Sequence, residues 1–327
     1  GASNTGVGYK ALYANTTAGN NTAVGTSALT ANTTGQFNTS VGRNSMIANT
    51  TGANNVAVGN RAWDANTTAN NNTAVGDAAL TANTTGTRNV SVGAIALDAN
   101  TTGDDNTAIG YTTLGLNVSG SRNTAVGTYA LDVNTASNNT AVGRAAMDAN
   151  TSGASNVAIG SSALGANTTA SNNTAVGMGA LAAVTTASFN TAVGTSTLSA
   201  TTGEGNTVLG YAAGFAVTSG SNNNFFGRDA GRTGSPGGNV TTGGNNILLG
   251  DENIDYAGIQ VDWTVASDAR DKTDFTALDL GLDFVKALAP VTYRWDKRSK
   301  YGDKSADDYD LLDQTPDGTH KEDWLDI

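Results

Sequence analysis

The chain of 327 residues contains no cysteine and a single histidine, His320. The lack of cysteine excludes disulfide bonds, thiolate metal ligands and a cysteine nucleophile, and one histidine cannot form a histidine cluster. Aromatic residues make up 6% and charged residues 14% of the chain, whereas glycine occurs 41 times. This composition is unlike that of an average enzyme and is typical of a repetitive fibre. We therefore expect neither a cofactor nor a metal ion.

Basic stripes and long apolar runs are also missing from the sequence. Residues 1–250 contain 8 Lys/Arg and 9 Asp/Glu, whereas residues 251–327 contain 9 and 19. Because the near-neutral part cannot neutralise phosphates, nucleic-acid binding is not expected. No run is apolar enough for membrane insertion, and the first residues do not form a signal peptide. Since the chain starts inside a repeat, we expect a fragment or a processed product whose N-terminal anchor lies elsewhere.

A repeat of the form Asn-Thr-Ala-Val-Gly occupies most of the chain. Its closing glycine recurs fifteen times at a spacing of 17 residues, except for two spacings of 16 and a last one of 23. These glycines are Gly8, Gly25, Gly42, Gly59, Gly76, Gly93, Gly110, Gly127, Gly143, Gly160, Gly177, Gly194, Gly210, Gly227 and Gly250. A fixed period of this kind indicates one structural unit per repeat, stacked on its neighbours.

Two columns of large apolar residues are predicted to form the core. One is the Val or Ile before the motif glycine, such as Val24, and the other is the Leu, Met or Trp four residues after it, such as Leu29. Small residues, such as Ala23 and Ala28, lie between them. A strand period of two places Thr22 and Val24 on one face. Because Gly and Asn interrupt every repeat, helices are disfavoured, and we predict an all-β solenoid or β-roll.

Two asparagine columns follow the same period. One stands four residues before every motif glycine, beginning with Asn4, and the other begins with Asn15. Identical amides at one repeat spacing predict hydrogen-bonded ladders along the fibre. Asn15-Thr16-Thr17 and its copies also match the N-glycosylation acceptor pattern. We favour the ladder or a turn cap, because every repeat needs a turn there in any case.

A single chain has few large apolar side chains with which to form a core. Each repeat offers only about two large apolar side chains, which is little to offset the backbone entropy lost by 17 ordered residues. We therefore expect several copies of the chain to pack around one axis.

The repeat pattern changes after residue 206. The small position within the motif becomes Val208, Phe225 and Leu248, which predicts a wider core over residues 207–250. A Gly/Pro loop at 232–238 is interpreted as a tolerated surface insertion rather than a receptor contact. The predicted organisation is an array of 17-residue repeats over 1–206, modified repeats over 207–250, a β linker over 251–266 and a separate domain over 267–327.

Two stretches resemble known families. The Asn-Thr-Ala-Val-Gly-x-x-Ala-Leu repeats resemble the heads of trimeric autotransporter adhesins, which fold as left-handed parallel β-rolls, and similar repeats of phage fibres. The second stretch runs from Ser267-Asp268-Ala269-Arg270-Asp271-Lys272 through residues 280–288 to Pro290-Val291-Thr292-Tyr293-Arg294-Trp295. It is similar to the start of the intramolecular chaperone of phage tailspikes and fibres, the S74 peptidase family.

This second resemblance implies a self-cleaving site. Ser267 would be the nucleophile, Lys272 its general base, and the cut would fall between Ala266 and Ser267. A desolvated lysine can activate a serine without histidine, which suits this sequence. The alternative is a strand-to-helix junction whose serine caps a turn. Asp271 stands where the family usually has an apolar residue.

The chaperone is expected to be small, α+β and incomplete, since the chain ends before the family's later conserved stretch. A short helix is predicted over residues 280–288, followed by a strand after Pro290. No external substrate is expected, so the only predicted enzymatic activity is cleavage of the chain itself.

The resemblances together imply a homotrimeric adhesion fibre of a phage tail, extracellular and part of the virion. Its partners would be copies of itself, other fibre or tail proteins, and a glycan or protein receptor on the host surface. One alternative is a bacterial trimeric surface adhesin with a membrane anchor outside this sequence. Another is an ice-binding solenoid, whose threonine columns would be Thr16, Thr33 and Thr50 with Thr17, Thr34 and Thr51. A glycan-degrading enzyme is disfavoured, because no carboxylate pair recurs at a fixed spacing.

Overall fold

A computed structural model describes residues 1–235 and 238–255, and the rest of the chain lies outside the described residues. The described part contains fifteen strands of three residues and no helix. The strands are β1 Thr5–Val7, β2 Thr22–Val24, β3 Thr39–Val41, β4 Val56–Val58, β5 Thr73–Val75, β6 Val90–Val92, β7 Thr107–Ile109, β8 Thr124–Val126, β9 Thr140–Val142, β10 Val157–Ile159, β11 Thr174–Val176, β12 Thr191–Val193, β13 Thr207–Leu209, β14 Asn224–Phe226 and β15 Ile247–Leu249.

All fifteen strands form one parallel sheet in chain order, with one strand per repeat. The register is residue for residue, so that Thr5 pairs with Thr22 and Val7 with Val24, and this pattern continues to β15. The predicted β-solenoid is therefore confirmed. At roughly 4.8 Å between strands, the sheet is about 70 Å long.

The interior contains the middle residue of each strand and the large residue four positions after the motif glycine. Ala23 and Leu29 are fully buried, as are their equivalents in the inner coils, whereas Leu12 and Leu248 in the terminal coils are partly buried. The prediction for the Leu column is confirmed, but the prediction that the Val column lies in the core is wrong. Val24 is 36% exposed and shares the outer face with Thr22. In a three-residue strand that turns its middle side chain inward, both flanking side chains must point outward.

The motif glycine lies where successive coils come closest. Gly93 has a φ of 136°, a backbone region open mainly to glycine. A Cβ atom at this position would lie 2.2 Å from the carbonyl oxygen of Gly110 in the next coil. The same arrangement recurs along the array, which explains why this position is glycine in every repeat.

The turn after each motif glycine contains left-handed residues that are not glycine. In the second coil these are Ser27, with a φ of 59°, and Leu29, with a φ of 53°. Such conformations cost about 1 kcal/mol or more each for a non-glycine residue. The N–H of Ser27 donates to Tyr9 O of the preceding coil at 2.8 Å, and the N–H of Leu29 donates to Ser45 O of the following coil at 3.0 Å. The strained turn thus bonds each coil to both neighbours.

The larger strand residues that predicted a wider core over residues 207–250 are accompanied by a compensating change. Val208 and Phe225 are fully buried in the column that is Ala in earlier coils. The Leu column is replaced here by Gly214 and Gly231. A Cβ atom on Gly231 would lie 2.7 Å from the ring of Phe225, so the ring fills space that a leucine would occupy. Side-chain volume is thus added at the middle strand position and removed at the position four residues after the motif glycine, and the core remains filled.

Candidate functional site

The first asparagine column forms an unbroken ladder inside the solenoid. The backbone N–H of each asparagine donates to the Oδ1 atom of the asparagine one coil earlier, from Asn4 to Asn246, at 2.8 to 3.1 Å. The amide nitrogen donates onward, as when Asn89 Nδ2 bonds Gly103 O of the next coil at 2.8 Å. This confirms the predicted ladder and shows that each asparagine links three successive coils.

The second asparagine column is a side-chain ladder with two interruptions among the described coils. Asn49 Nδ2 donates to Asn32 Oδ1 at 2.8 Å, and the pattern repeats between most neighbours. Asn66 breaks it by accepting the N–H of Ala69 with its own Oδ1. The one-residue deletion after Asn134 causes the other break, because the shortened turn draws the Asn134 amide to Ala136 O at 2.8 Å. Asn117 Oδ1 is consequently buried without a hydrogen-bond partner.

The second ladder also ends abruptly, which gives a testable prediction. Asn167 Oδ1 is buried without a partner, because the next coil has the buried Val184 in the asparagine column. We expect Val184→Asn to donate to this oxygen and to raise the free energy of unfolding by about 1 kcal/mol. Urea unfolding followed by circular dichroism measures the change. Val118→Asn, at an exposed position, is the control, and equal behaviour of the two variants would contradict the assignment.

The asparagines of the Asn-Thr-Thr copies are poorly placed for glycosylation. Asn32 and Asn49 are fully buried and hold ladder hydrogen bonds, which agrees with the favoured ladder interpretation. The first threonine of most copies also bonds to the next coil, as when Thr33 Oγ1 donates to Thr50 O at 3.0 Å. The second threonine, such as Thr34, is exposed. Of the two threonine columns considered for ice binding, the first therefore uses most of its hydroxyl groups in bonds between coils, and the second exposes its side chains.

An apolar ridge runs along the outer face of the sheet. It consists of the last residue of every strand, from Val7 to Leu249, and is flanked by a column made mostly of threonine. Eight of its members are between 36% and 57% exposed: Val7, Val24, Ile109, Ile159, Val193, Leu209, Phe226 and Leu249. Contiguous exposed apolar surface of this kind marks an interaction site. Sequence reasoning missed it, although the threonine two residues before each valine signals an outward face.

Three aspartates occupy one column within four successive coils. Burial raises the pKa of Asp98, Asp132 and Asp148, and the charge of Asp148 raises the pKa of Asp132 further. Gly115 stands in the same column between Asp98 and Asp132. A Cβ atom on Gly115 would lie 2.7 Å from Asp132 Oδ1, so the glycine leaves room for the carboxylates.

These shifted pKa values predict a pH effect on stability. Because the folded pKa of Asp132 is raised above its unfolded value near 3.9, its stability contribution is greatest below about pH 4 and falls as pH rises through the folded pKa. We expect Asp132→Asn to stabilise the fold at pH 7 by about 0.5 kcal/mol, after allowance for solvent screening, and to change little at pH 3. Urea unfolding at both pH values measures this.

The control variant, Asp105→Asn, is expected to change the stability at pH 7 in the opposite direction. The hydrogen bond from Arg88 lowers the pKa of Asp105, whose stabilising contribution is present above the unfolded pKa and is lost as pH falls. Asp105→Asn should therefore destabilise the fold at pH 7 and destabilise it less at pH 3. A stabilising effect of both variants at pH 7 would contradict the account.

The loop at 232–238 is anchored at its base. Ser235 is buried, and its Oγ atom accepts the N–H of Gly231 at 3.0 Å and donates to Gly250 O at 3.3 Å. The N–H of Val240 donates to Gly231 O at 3.0 Å where the loop rejoins the array. The insertion thus has a fixed base, while Thr233 and Gly234 are exposed.

The predicted self-cleaving site, Ser267 and Lys272 with the bond after Ala266, lies outside the described residues, as do the predicted linker beyond residue 255, helix and strand. Within residues 1–235 and 238–255, no group of three or more His, Cys, Asp or Glu side chains is placed to hold a metal ion. The same residues include no helix with the length and apolar character that crossing a membrane requires.

Comparison with known proteins identifies one family. Residues 267–310 match Peptidase_S74, described as chaperone of endosialidase. The match starts at Ser267 and includes Lys272. No curated protein matches the chain. The β-solenoid and this match to a chaperone family are consistent with a tail-fibre-like or tailspike-like fibre.

Proposed function

We propose that this chain forms a homotrimeric adhesion fibre of a phage tail, which attaches the virion to a host cell. The solenoid supplies a stiff rod, and the C-terminal domain acts as a chaperone that aligns three chains. The fibre is extracellular, and its partners are other tail proteins at one end and a host surface glycan or protein at the other.

The exposure of the apolar ridge is the observation that supports the proposed trimer. It presents one Val, Ile, Leu or Phe side chain on each coil, and an isolated rod leaves this surface in water. A partner that covers the whole ridge must repeat at the same coil spacing over the same length. A second and a third copy of this chain meet that requirement, with the ridges facing a common axis.

The ridge also suits a chaperone-dependent assembly. Neighbouring coils are nearly identical, so two rods could pair one coil out of register with little loss of contact. A domain that first joins the three C-terminal ends would fix the register before the ridges meet. The chaperone-family match over residues 267–310 supports this role.

Cleavage would make the assembly irreversible. Lys272 accepts the proton of the Ser267 hydroxyl, the oxygen attacks the carbonyl carbon of Ala266, and the peptide nitrogen of Ser267 leaves with a proton. Water then hydrolyses the resulting ester and frees the Ala266 carboxylate. Once the chaperone is gone, the chains cannot realign after unfolding, so the fibre becomes kinetically stable.

Replacing the nucleophile tests this step. We expect Ser267→Ala to abolish cleavage, because alanine has no hydroxyl to attack the carbonyl, so that the purified chain keeps its C-terminal piece. Intact-mass measurement distinguishes an uncleaved chain from a product ending at Ala266. Ser299→Ala, a change at another serine within the matched region, is the control. A Ser267→Ala chain that still ends at Ala266 would refute the dyad.

The two alternatives have separate tests. A bacterial surface adhesin would use the same rod but carry a membrane anchor, which the full-length sequence would reveal. An ice-binding solenoid would use its exposed threonines, and thermal hysteresis in solution would be its signature.

A further inference from the structure

A cleft of about 390 Å³ lies beside the insertion that lengthens the last repeat spacing to 23 residues. Its walls include Phe215, Arg228, Arg232, Asn239, Glu252 and Asn253. The volume is within the range of about 300 to 1,000 Å³ typical of small-molecule sites. The cleft therefore coincides with the place where the chain departs from its repeat.

The arginine wall of the cleft is held in place by one carboxylate. Arg228 Nε bonds Asp229 Oδ2 at 3.0 Å, and Arg232 Nη1 bonds the other oxygen of Asp229. The guanidinium of Arg232 also lies over the ring of Phe215, 5.3 Å from its centroid. Arg228 is 73% exposed, so most of its donors remain free for a ligand. Preorganised side chains of this kind lose little entropy on binding.

The opposite wall is fixed by a short hydrogen-bonded turn. Asp251 Oδ1 accepts the N–H of Asn253 at 3.0 Å, and its Oδ2 accepts the amide of the same residue at 3.2 Å. Ser235 ties the base of the insertion to Gly250, just before this turn. The two walls therefore begin directly after β14 and β15.

The chemistry of the lining selects a class of ligand. The lining combines donors from arginine and asparagine with acceptors from aspartate and glutamate. Its two positive and three negative side chains leave no net positive charge for an anion. Hydroxyl groups both donate and accept, so a sugar can use both kinds of partner. The ring of Phe215 is 45% exposed although Arg232 lies over it, and its exposed part offers an apolar surface for the C–H groups of a pyranose.

From these observations we infer that the cleft binds an uncharged saccharide unit of a host surface glycan. The inference rests on the proposed adhesion function, which it makes more specific by placing the receptor site at the end of the array that precedes the chaperone. It also gives two residues at the start of the insertion, Arg232 and Thr233, a place in the lining of a binding site.

A glycan array tests the inference on the full chain, with neutral oligosaccharides and their uronate- or sialate-bearing counterparts as probes. We expect the wild type to retain neutral glycans, and Arg228→Ala and Phe215→Ala each to weaken this binding at least about tenfold, as for a central contact residue. Arg144→Ala is the matched control, because Arg144 is exposed at the same repeat position on an earlier coil.

Several outcomes would overturn the inference. They are retention of acidic glycans only, retention of no glycan, and equal binding by all variants. Adsorption of each variant to host cells separates this failure from failure of the proposed function. If Arg228→Ala and Phe215→Ala adsorb like the wild type, the adhesion function stands and the cleft is not its site. If the wild type adsorbs to no host cell, adhesion itself fails.

Discussion

Replacing Gly93 with alanine is expected to unfold the middle of the solenoid. The new Cβ atom would lie 2.2 Å from the oxygen and 2.7 Å from the carbon of the Gly110 carbonyl, and both are backbone atoms that cannot rotate away. The φ of 136° adds conformational strain for any residue with a side chain. Since the coils would have to separate, we expect a loss of more than about 4 kcal/mol, among the largest effects of single substitutions.

Gly6→Ala is the control for Gly93→Ala. Gly6 occupies the inward column that is alanine in Ala23, and the nearest atom to an added Cβ would be 3.6 Å away. This substitution should leave stability unchanged or slightly raised. Urea unfolding monitored by far-ultraviolet circular dichroism compares the two variants. If Gly93→Ala unfolded like the wild type, the close approach of the coils would be wrong.

The second large effect is expected at the buried ladder. Asn89 accepts the N–H of Asn106 at 2.9 Å and donates to Gly103 O at 2.8 Å. Asn89→Leu preserves the approximate size of the side chain but leaves the buried N–H of Asn106 without a partner. We expect a loss of about 3 kcal/mol, since an unsatisfied buried group and a lost hydrogen bond both contribute.

Asn60→Leu is the matched control, because Asn60 is exposed and its side chain donates to the exposed Asp77 side chain, at 2.7 Å. It should change the free energy of unfolding by less than about 0.5 kcal/mol. Equal losses from Asn89→Leu and Asn60→Leu would mean that the ladder adds nothing to the stability of the coil. Amide hydrogen exchange at Asn106 gives an independent measure, and its protection should fall only in Asn89→Leu.

Period and residue type were sufficient to predict most of the fold. The 17-residue spacing predicts one unit per coil, and the fifteen strands pair in that register. The asparagine columns predict ladders because an amide can both donate and accept, and a stack of identical amides offers each one a partner. Leu29 and its equivalents were predicted to be buried, and all of them from Leu29 to Leu198 are.

The side of the strand that faces inward was harder to predict. Val24 is larger and more apolar than Ala23, so hydrophobicity alone places the valine inside. In the structure Ala23 faces inward and Val24 faces outward. One large residue in each coil, such as Leu29, already fills the narrow interior, so a small residue fits opposite it. The outward valine costs little in one coil, but repeated along the array it produces the apolar ridge.

Local propensity also gave no sign of the turn geometry. Leu29 adopts a left-handed conformation that isolated leucine avoids, and only hydrogen bonds to the neighbouring coils stabilise it. The Arg228 cleft likewise depends on residues from three parts of the chain, including Phe215 and Asn253, which no sequence motif connects. Interactions between coils decide both features, and the sequence of a single repeat does not contain them.

The central claim is that three copies of this solenoid bury their apolar ridges against one another. The mass of the purified assembly in solution, measured by sedimentation equilibrium, tests it most directly. The account predicts the mass of three chains, unchanged on dilution. A particle with the mass of a single chain would contradict it.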